Sequence, residues 1–228
     1  EVGYDWIFDI FEDREGNLWF ASMGSGVWKH NPQANSFEKY INKEGEPNSL
    51  SSNSVSSVMQ DSKGRIWLST DRGGICRYNA ETNDFTSFSI KEGLPDDVAY
   101  EILEDDAHNL WFGTNKGLVK FNPETKDIHV FTTKDGLLGN QFNYKSALKV
   151  GDGRFFFGGI NGLIAFDPNI SRQQLAPPSP IYISKFSIYN KEITVHTPNS
   201  PLKKNIVGTE EIVLPYNQSN ISFDIALL

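Results

Sequence analysis

Residues 105–125 read DDAHNLWFGTNKGLVKFNPET and crowd two Asp, a His, a Trp, three Asn and two Lys into one short stretch. Such types could supply acid–base carboxylates, a metal-binding imidazole or a ligand-gripping amide and ammonium. Each chemistry needs a second feature. Nucleophilic, zinc or nucleotide chemistry would need G-x-S-x-G, H-E-x-x-H or a phosphate loop, and none is present. The four histidines, His30, His108, His129 and His196, are not spaced to share a metal, and three fall in turns or strand edges that would face solvent. Asp13, Asp61 and Asp106 recur at the turn before the Trp strand. DREGN, DSKGR and DAHNL lack the alternating oxygens of a calcium loop, so an Asp-led turn is the expectation. The single Cys76 cannot form an internal disulfide and reads as small core filler. No cofactor and no metal are expected.

The stretch is one copy of several. DREGNLWFASMGSGVWKHNPQANSF at 13–37 and DSKGRIWLSTDRGGICRYNAETNDF at 61–85 repeat its plan, and GDGRFFFGGINGLIAFDP at 151–168 is a fourth, weaker copy. Trp19, Trp67, Trp111 and Phe156 occupy one place in the repeat. A period near 45 residues belongs to propellers or to helical arrays. Short aromatic and β-branched segments separated by Asn, Asp, Gly and Pro favour strands, and no 3.6-residue period is found. In the third copy the expected strands are Ala99–Glu104, Leu110–Gly113, Gly117–Phe121 and Ile128–Thr132. Gly26, Gly74, Gly117 and Gly162 should hold a positive φ or a close backbone approach. The recurring Trp should wedge between neighbouring sheets, its N–H reaching a backbone carbonyl. The fold class is therefore all-β: four four-stranded antiparallel repeats forming part of a β-propeller.

Length and charge bound the rest. A chain of 228 residues has room for one or two domains. A net charge of −8 gives no footprint for nucleic acid or an anionic membrane. No run of 18 apolar residues could span a bilayer. The chain starts at Glu and stops inside an alternating apolar pattern, so it reads as a piece of a longer protein.

Repeated residues build scaffold, so candidate ligand residues are those that vary between copies. The loops between second and third strands offer Ser22, Met23, Asp71, Arg72, Asn115, Lys116, Ile160 and Asn161. The loops leading into each blade offer Tyr4, Asp5, Trp6, Asn53, Asp96, Asp97, Asn140, Gln141 and Asn143. The selected set is Tyr4, Trp6, Asp71, Arg72, Asn115, Lys116, Asn140, Asn143 and Asn161. Arg72 beside Asp71 suits a sugar acid, and Tyr4 and Trp6 suit stacking on a pyranose. No catalytic residue is assigned. A propeller enzyme using Asp71, Asp96 and Asp97, or a pure protein-interaction platform, stand as alternatives.

SNSVSSVMQDSKGRIWLSTDRGGICRYN (52–79), VAYEILEDDAHNLWFGTNKGLVKFNPET (98–125) and QFNYKSALKVGDGRFFFGGINGLIAFDP (141–168) resemble the two-component regulator propeller repeat. PPSPIYISKFSIYNKEI (177–193) and EIVLPYNQSNISFDIALL (211–228) resemble the opening of the three-tyrosine domain, an immunoglobulin-like β-sandwich that follows such propellers. The resemblance implies blades over 1–170, a linker over 171–180 and the start of the sandwich over 181–228. It departs from the family in having four blades rather than the usual seven, and in showing no outer strand after Asp167-Pro168, where the chain runs into SRQQLAPPSP. Two four-blade copies pairing into one ring is a corollary. The resemblance also implies the periplasmic sensor region of a bacterial hybrid histidine kinase in the inner membrane. It further implies an oligosaccharide ligand, a homodimer, and kinase activity outside these residues.

Overall fold

The computed structural model describes residues 6–169 and 181–227. It divides into two compact units, Glu1–Asn169 and Ile170–Leu228. Tyr4, Asp5 and the expected linker over 171–180 lie outside the described residues.

The first unit is a succession of antiparallel sheets in simple up-and-down order. Blade 1 is β1 (Ile7–Glu12), β2 (Leu18–Ser22), β3 (Val27–Asn31) and β4 (Ser36–Tyr40). Blade 2 is β5 (Val55–Gln60), β6 (Ile66–Thr70), β7 (Ile75–Asn79) and β8 (Asp84–Phe88). Blade 3 is β9 (Ile102–Glu104), β10 (Leu110–Gly113), β11 (Leu118–Phe121) and β12 (Ile128–Phe131). Blade 4 has three strands among the described residues: β13 (Phe142–Lys149), β14 (Phe155–Gly159) and β15 (Gly162–Phe166).

The expected strands of blade 3 are present, with its first strand three residues shorter at the start. Ala99 leaves the ladder because its N–H donates to Thr70 O of blade 2 at 2.9 Å, while Tyr100 N–H still donates to Gly113 O of β10 at 3.0 Å.

The recurring Trp does fill the space between blades. Trp19 packs edge-on to Tyr78 at 5.1 Å, Trp67 to Phe121 at 6.0 Å and Trp111 to Phe155 at 6.2 Å, each partner belonging to the following blade. Its N–H does not go to a backbone carbonyl. Trp19, Trp67 and Trp111 each donate Nε1 to a buried carboxylate, Asp13, Asp61 and Asp105, at 2.8 Å. The third recurring acid is thus Asp105 and not Asp106, which is exposed and pairs with Lys149. The expected Asp-led turn is real: one oxygen of Asp13 accepts from the N–H groups of Glu15 and Asn17, and Asp61 and Asp105 do the same in their turns. Burial by itself would raise the Asp13 pKa, but donors from Trp19, Asn17 and Glu15 outweigh it and hold the carboxyl below its ordinary range. In blade 4 the two places hold Val150 and Phe156, so donor and acceptor vanish together.

All four recurring glycines take positive φ, from 68° at Gly74 to 135° at Gly117. In the four-stranded blades a Cβ at Gly26, Gly74 or Gly117 would overlap a carbonyl oxygen at the end of the outer strand, of Tyr40, Phe88 or Phe131. Cys76 is fully buried, with its thiol 2.8 Å from Ser51 Oγ, and burial pushes its pKa up.

The second unit is a three-stranded sheet in the order β17 (Lys191–Glu192), β16 (Ile181–Ile188), β18 (Ile221–Leu227). Phe186, Ile188 and Leu202 form its core with Ile193, Ile206, Ile212 and Leu214. The alternating strand expected at its end is β18, though Ile221, Phe223 and Ile225 are exposed and no second sheet covers them among the described residues.

Candidate functional site

Up-and-down order puts the second-to-third-strand loops and the blade-connecting loops at one end of the first unit. At that end the first strands of blades 1, 2 and 4 carry a shared irregularity. The β1–β2 register slips between Ile7 and Asp9, β5–β6 between Val55 and Ser57, and β13–β14 between Phe142 and Ala147. Each slip is a bulge, which re-aims side chains that a regular pleat would send into the sheet faces. The widest is in blade 4, where Lys145 adopts φ 50°.

These bulges create an aromatic group. Tyr144 meets Tyr100 edge-on at 4.6 Å and Phe8 at 5.5 Å, which brings together blades 4, 3 and 1. Lys145 Nζ lies 2.7 Å from Asp9 Oδ1 and 3.8 Å from Glu101 Oε1, while Asp9 Oδ2 accepts from Val58 N at 2.9 Å. Tyr100 Oη donates to Asn115 Oδ1 at 2.7 Å. Burial first, then the neighbouring Tyr144 and the charges of Asp96 and Asp71, push the Tyr100 pKa up to about 12. Burial and Asp71 raise Tyr144 as well, against an opposing effect of Arg72. Both phenols therefore stay neutral hydrogen-bonding groups at pH 7, whereas a tyrosine general base requires its pKa moved toward the working pH. The cluster suits holding a polyhydroxylated molecule: neutral phenols and an amide for hydroxyls, ring faces for apolar sugar surface, and carboxylates beside Arg72.

Asp71, Arg72 and Asn115, chosen from their variability, belong to this cluster. Arg72 is held at φ 70° with its side chain 85% exposed, 3.7 Å from Asp71. It also lines a cleft of about 650 Å³ with Ser51, Ser89, Lys91 and Asp97. Asn143 sits exposed in the blade 4 bulge and Lys116 exposed on the β10–β11 loop. Trp6 is 81% exposed, and its carbonyl accepts from Met23 N. Asn140 and Asn161 serve the scaffold. Asn140 Oδ1 accepts from Thr133 N at 2.8 Å, as Asn53 does from Asn42 N and Asp97 from Ile90 N, so one side-chain oxygen pins each blade connection. Asn161 Nδ2 donates to Leu138 O at 3.1 Å. Ser22 is buried with its hydroxyl on Gly26 O. Phe8, Tyr100, Tyr144 and Lys145 were missed. The same variability would have found them had it been sought at the start of each first strand, where Phe8 and Tyr100 stand at the place that Ser56 takes in another copy.

Among the described residues no three or more His, Cys, Asp or Glu side chains are grouped to hold a metal. No helix among them is long and apolar enough to cross a membrane.

The family model of the two component regulator propeller matches residues 2–24, 49–72 and 93–116. Histidine kinase P4 of Formosa agariphila is 30% identical over 130 residues, 57% of this chain and 9% of that protein. Among solved structures, the extracellular domain assigned to the hybrid two component system BT3049 of B. thetaiotaomicron superposes with a TM-score of 0.66 at 28% identity. That match covers 97% of this chain and 29% of the other. The extracellular domain assigned to BT4673 of the same organism gives 0.59 at 20% identity, over 96% of this chain and 41% of that one, a likeness of fold. The chain therefore spans a minor part of each relative.

Proposed function

Since the chain carries two component regulator propeller repeats, we propose that it is part of the ligand-sensing region of a hybrid two-component histidine kinase, lying on the periplasmic side of the inner membrane. The observation that carries this reading is the bulge-built cluster of Tyr100, Tyr144, Phe8, Asp71 and Asn115 at the loop end of the blades. Its ligand is a glycan-derived oligosaccharide, held by hydroxyl bonds and ring contacts rather than transformed, because neither tyrosine is tuned for proton abstraction. The second unit opens an immunoglobulin-like sandwich. Ligand capture shifts how such sandwiches pair in a homodimer, biasing a kinase encoded elsewhere in the protein and, through it, transcription.

The test is a thermal-shift screen of the chain against a panel of plant and host oligosaccharides, followed by calorimetry on the best binder. The expected result is a stabilising ligand whose affinity falls about tenfold in Tyr100→Phe and Asp71→Asn, a loss of one to two hydrogen bonds. A binder indifferent to both substitutions, or turnover of a glycoside or uronate by the wild-type chain, sinks the proposal.

A further inference from the structure

The opposite end of the blades carries the Asp-led turns and the third-to-fourth-strand turns, and there the three spaces between neighbouring blades are not alike. Between blades 2 and 3, Lys63 and Arg65 of one turn both reach Glu124 of the other, at 2.8 and 2.7 Å. Between blades 3 and 4, Asn169 Nδ2 donates to Asp106 Oδ2 at 3.1 Å. Between blades 1 and 2 the corresponding places hold Glu15, Asn17 and Glu81, and no ion pair among the described residues closes them; the bonds that cross lie beside them, Arg14 donating to Gln60 Oε1 at 2.8 Å and to Ser62 O at 3.1 Å, and Gln60 Nε2 to Glu15 Oε2 at 3.3 Å. That space stays open as a cleft of about 780 Å³, a volume typical of small-molecule sites.

Four cations line this cleft, of which Lys63 and Arg65 are paired with Glu124 and two, Lys29 and Arg77, are not. Lys29 Nζ stands over the rings of Trp19 and Tyr78, at 5.4 and 5.2 Å, and Arg77 donates Nε to Asn79 Oδ1 at 3.2 Å. Neither forms an ion pair among the described residues, whereas Lys120, the blade 3 counterpart of both, lies 3.7 Å from Asp105. The wall carboxylates are otherwise engaged. Asp13 accepts from Trp19 and Asn17, and Asp84 accepts from Asn79, Thr82 and Asn48. At the rim, Glu15 and Glu81 are exposed, with Glu15 Oε2 accepting from Gln60 at 3.3 Å.

We propose that the cleft between blades 1 and 2 is a binding site for an anionic saccharide, its carboxylate or sulfate seated between Lys29 and Arg77 and its hydroxyls donating to Glu15 and Glu81. Both anions present the oxygens that ammonium and guanidinium donors recognise. Rim carboxylates accept from vicinal hydroxyls and disfavour a second anionic group at the mouth. The site is separate from the tyrosine cluster, at the other end of the blades, and binding here is read directly without reference to signalling.

Titration calorimetry of the whole chain with digalacturonate, with N-acetylglucosamine 6-sulfate and with cellobiose tests the assignment. Binding of one or both acidic sugars is expected, with no heat from cellobiose, and which of the two binds identifies the anion. Lys29→Gln and Arg77→Gln should each weaken binding about tenfold or more, the loss of one charge-assisted bond. A closing variant gives an independent arm. Glu15→Lys with Asn17→Arg copies the Lys63 and Arg65 arrangement, should pair with Glu81, and should abolish binding while the melting temperature is retained. Tyr100→Phe should leave this binding unchanged. Acidic sugars that give no heat, that bind no better than cellobiose, or whose binding survives the closing variant overturn the proposal. Binding lost in Tyr100→Phe but kept in the cleft variants overturns it too, while leaving the sensor reading intact.

Discussion

Asp13, Asp61 and Asp105 show how one side chain sets a blade. Each carboxylate is buried, bonded to its own turn through one oxygen and to the indole of the Trp six residues later through the other. Asp13→Ala would leave the Trp19 N–H and the Asn17 amide buried without an acceptor, so a loss of about 2 to 4 kcal/mol is expected in urea unfolding. Asp13→Val with Trp19→Phe copies the pair already present at Val150 and Phe156. It should lose less than the sum of the single changes, a coupling that a double-mutant cycle reads. The folded-state pKa of Asp13 lies below its unfolded value of about 3.9. Its contribution is therefore complete above that pH and is lost as pH falls through the folded pKa, and Asp13→Asn should flatten that part of the acid-unfolding curve. The Trp was legible in the chain because it recurs. Its acceptor was expected to be a backbone carbonyl, and the recurring acid of the third copy was placed one residue late because Asp105 and Asp106 adjoin, although the spacing to the Trp in the other copies singles out Asp105.

Elements were legible where turn chemistry repeats and obscure where it is broken. Gly117 sits at φ 135° with the Phe131 carbonyl against the place of a Cβ, whereas Gly162, at φ 120°, has nothing nearer than Leu138 Cδ1 at 3.6 Å. Both alanine variants are strained, by about 1 kcal/mol or more for the backbone alone. Gly117→Ala must also displace the end of β12, so chemical denaturation should rank it clearly below Gly162→Ala. The bulges that build the tyrosine cluster escaped notice for a physical reason. A slip such as that at Phe8 changes no residue type and interrupts no alternation that a short inner strand could display, so its trace in the chain is an aromatic at Phe8 and Tyr100 where another copy has Ser56.

At the scale of the molecule, the repeat order and the change of character after Pro168 were readable, because a period near 45 residues is long enough to stand out. What covers the end blades was not. Leu148 and Leu163 are 58% and 59% exposed on the face of blade 4 that corresponds to the Trp-bearing face of the other blades, and Ile10 is 63% exposed on blade 1. Leu148→Lys with Leu163→Lys should leave the melting temperature within about 2 °C, since exposed positions contribute little. It should also reduce binding of an apolar dye, which an exposed patch promotes. Stability in a repeat array is close to a sum of unit and nearest-neighbour contributions. Blade 4 has neither a buried carboxylate clasp nor, among the described residues, a fourth strand. The array is therefore graded along its length, and amide hydrogens of β14 and β15 should exchange with solvent sooner than those of β6 and β7, the direction in which the array unzips.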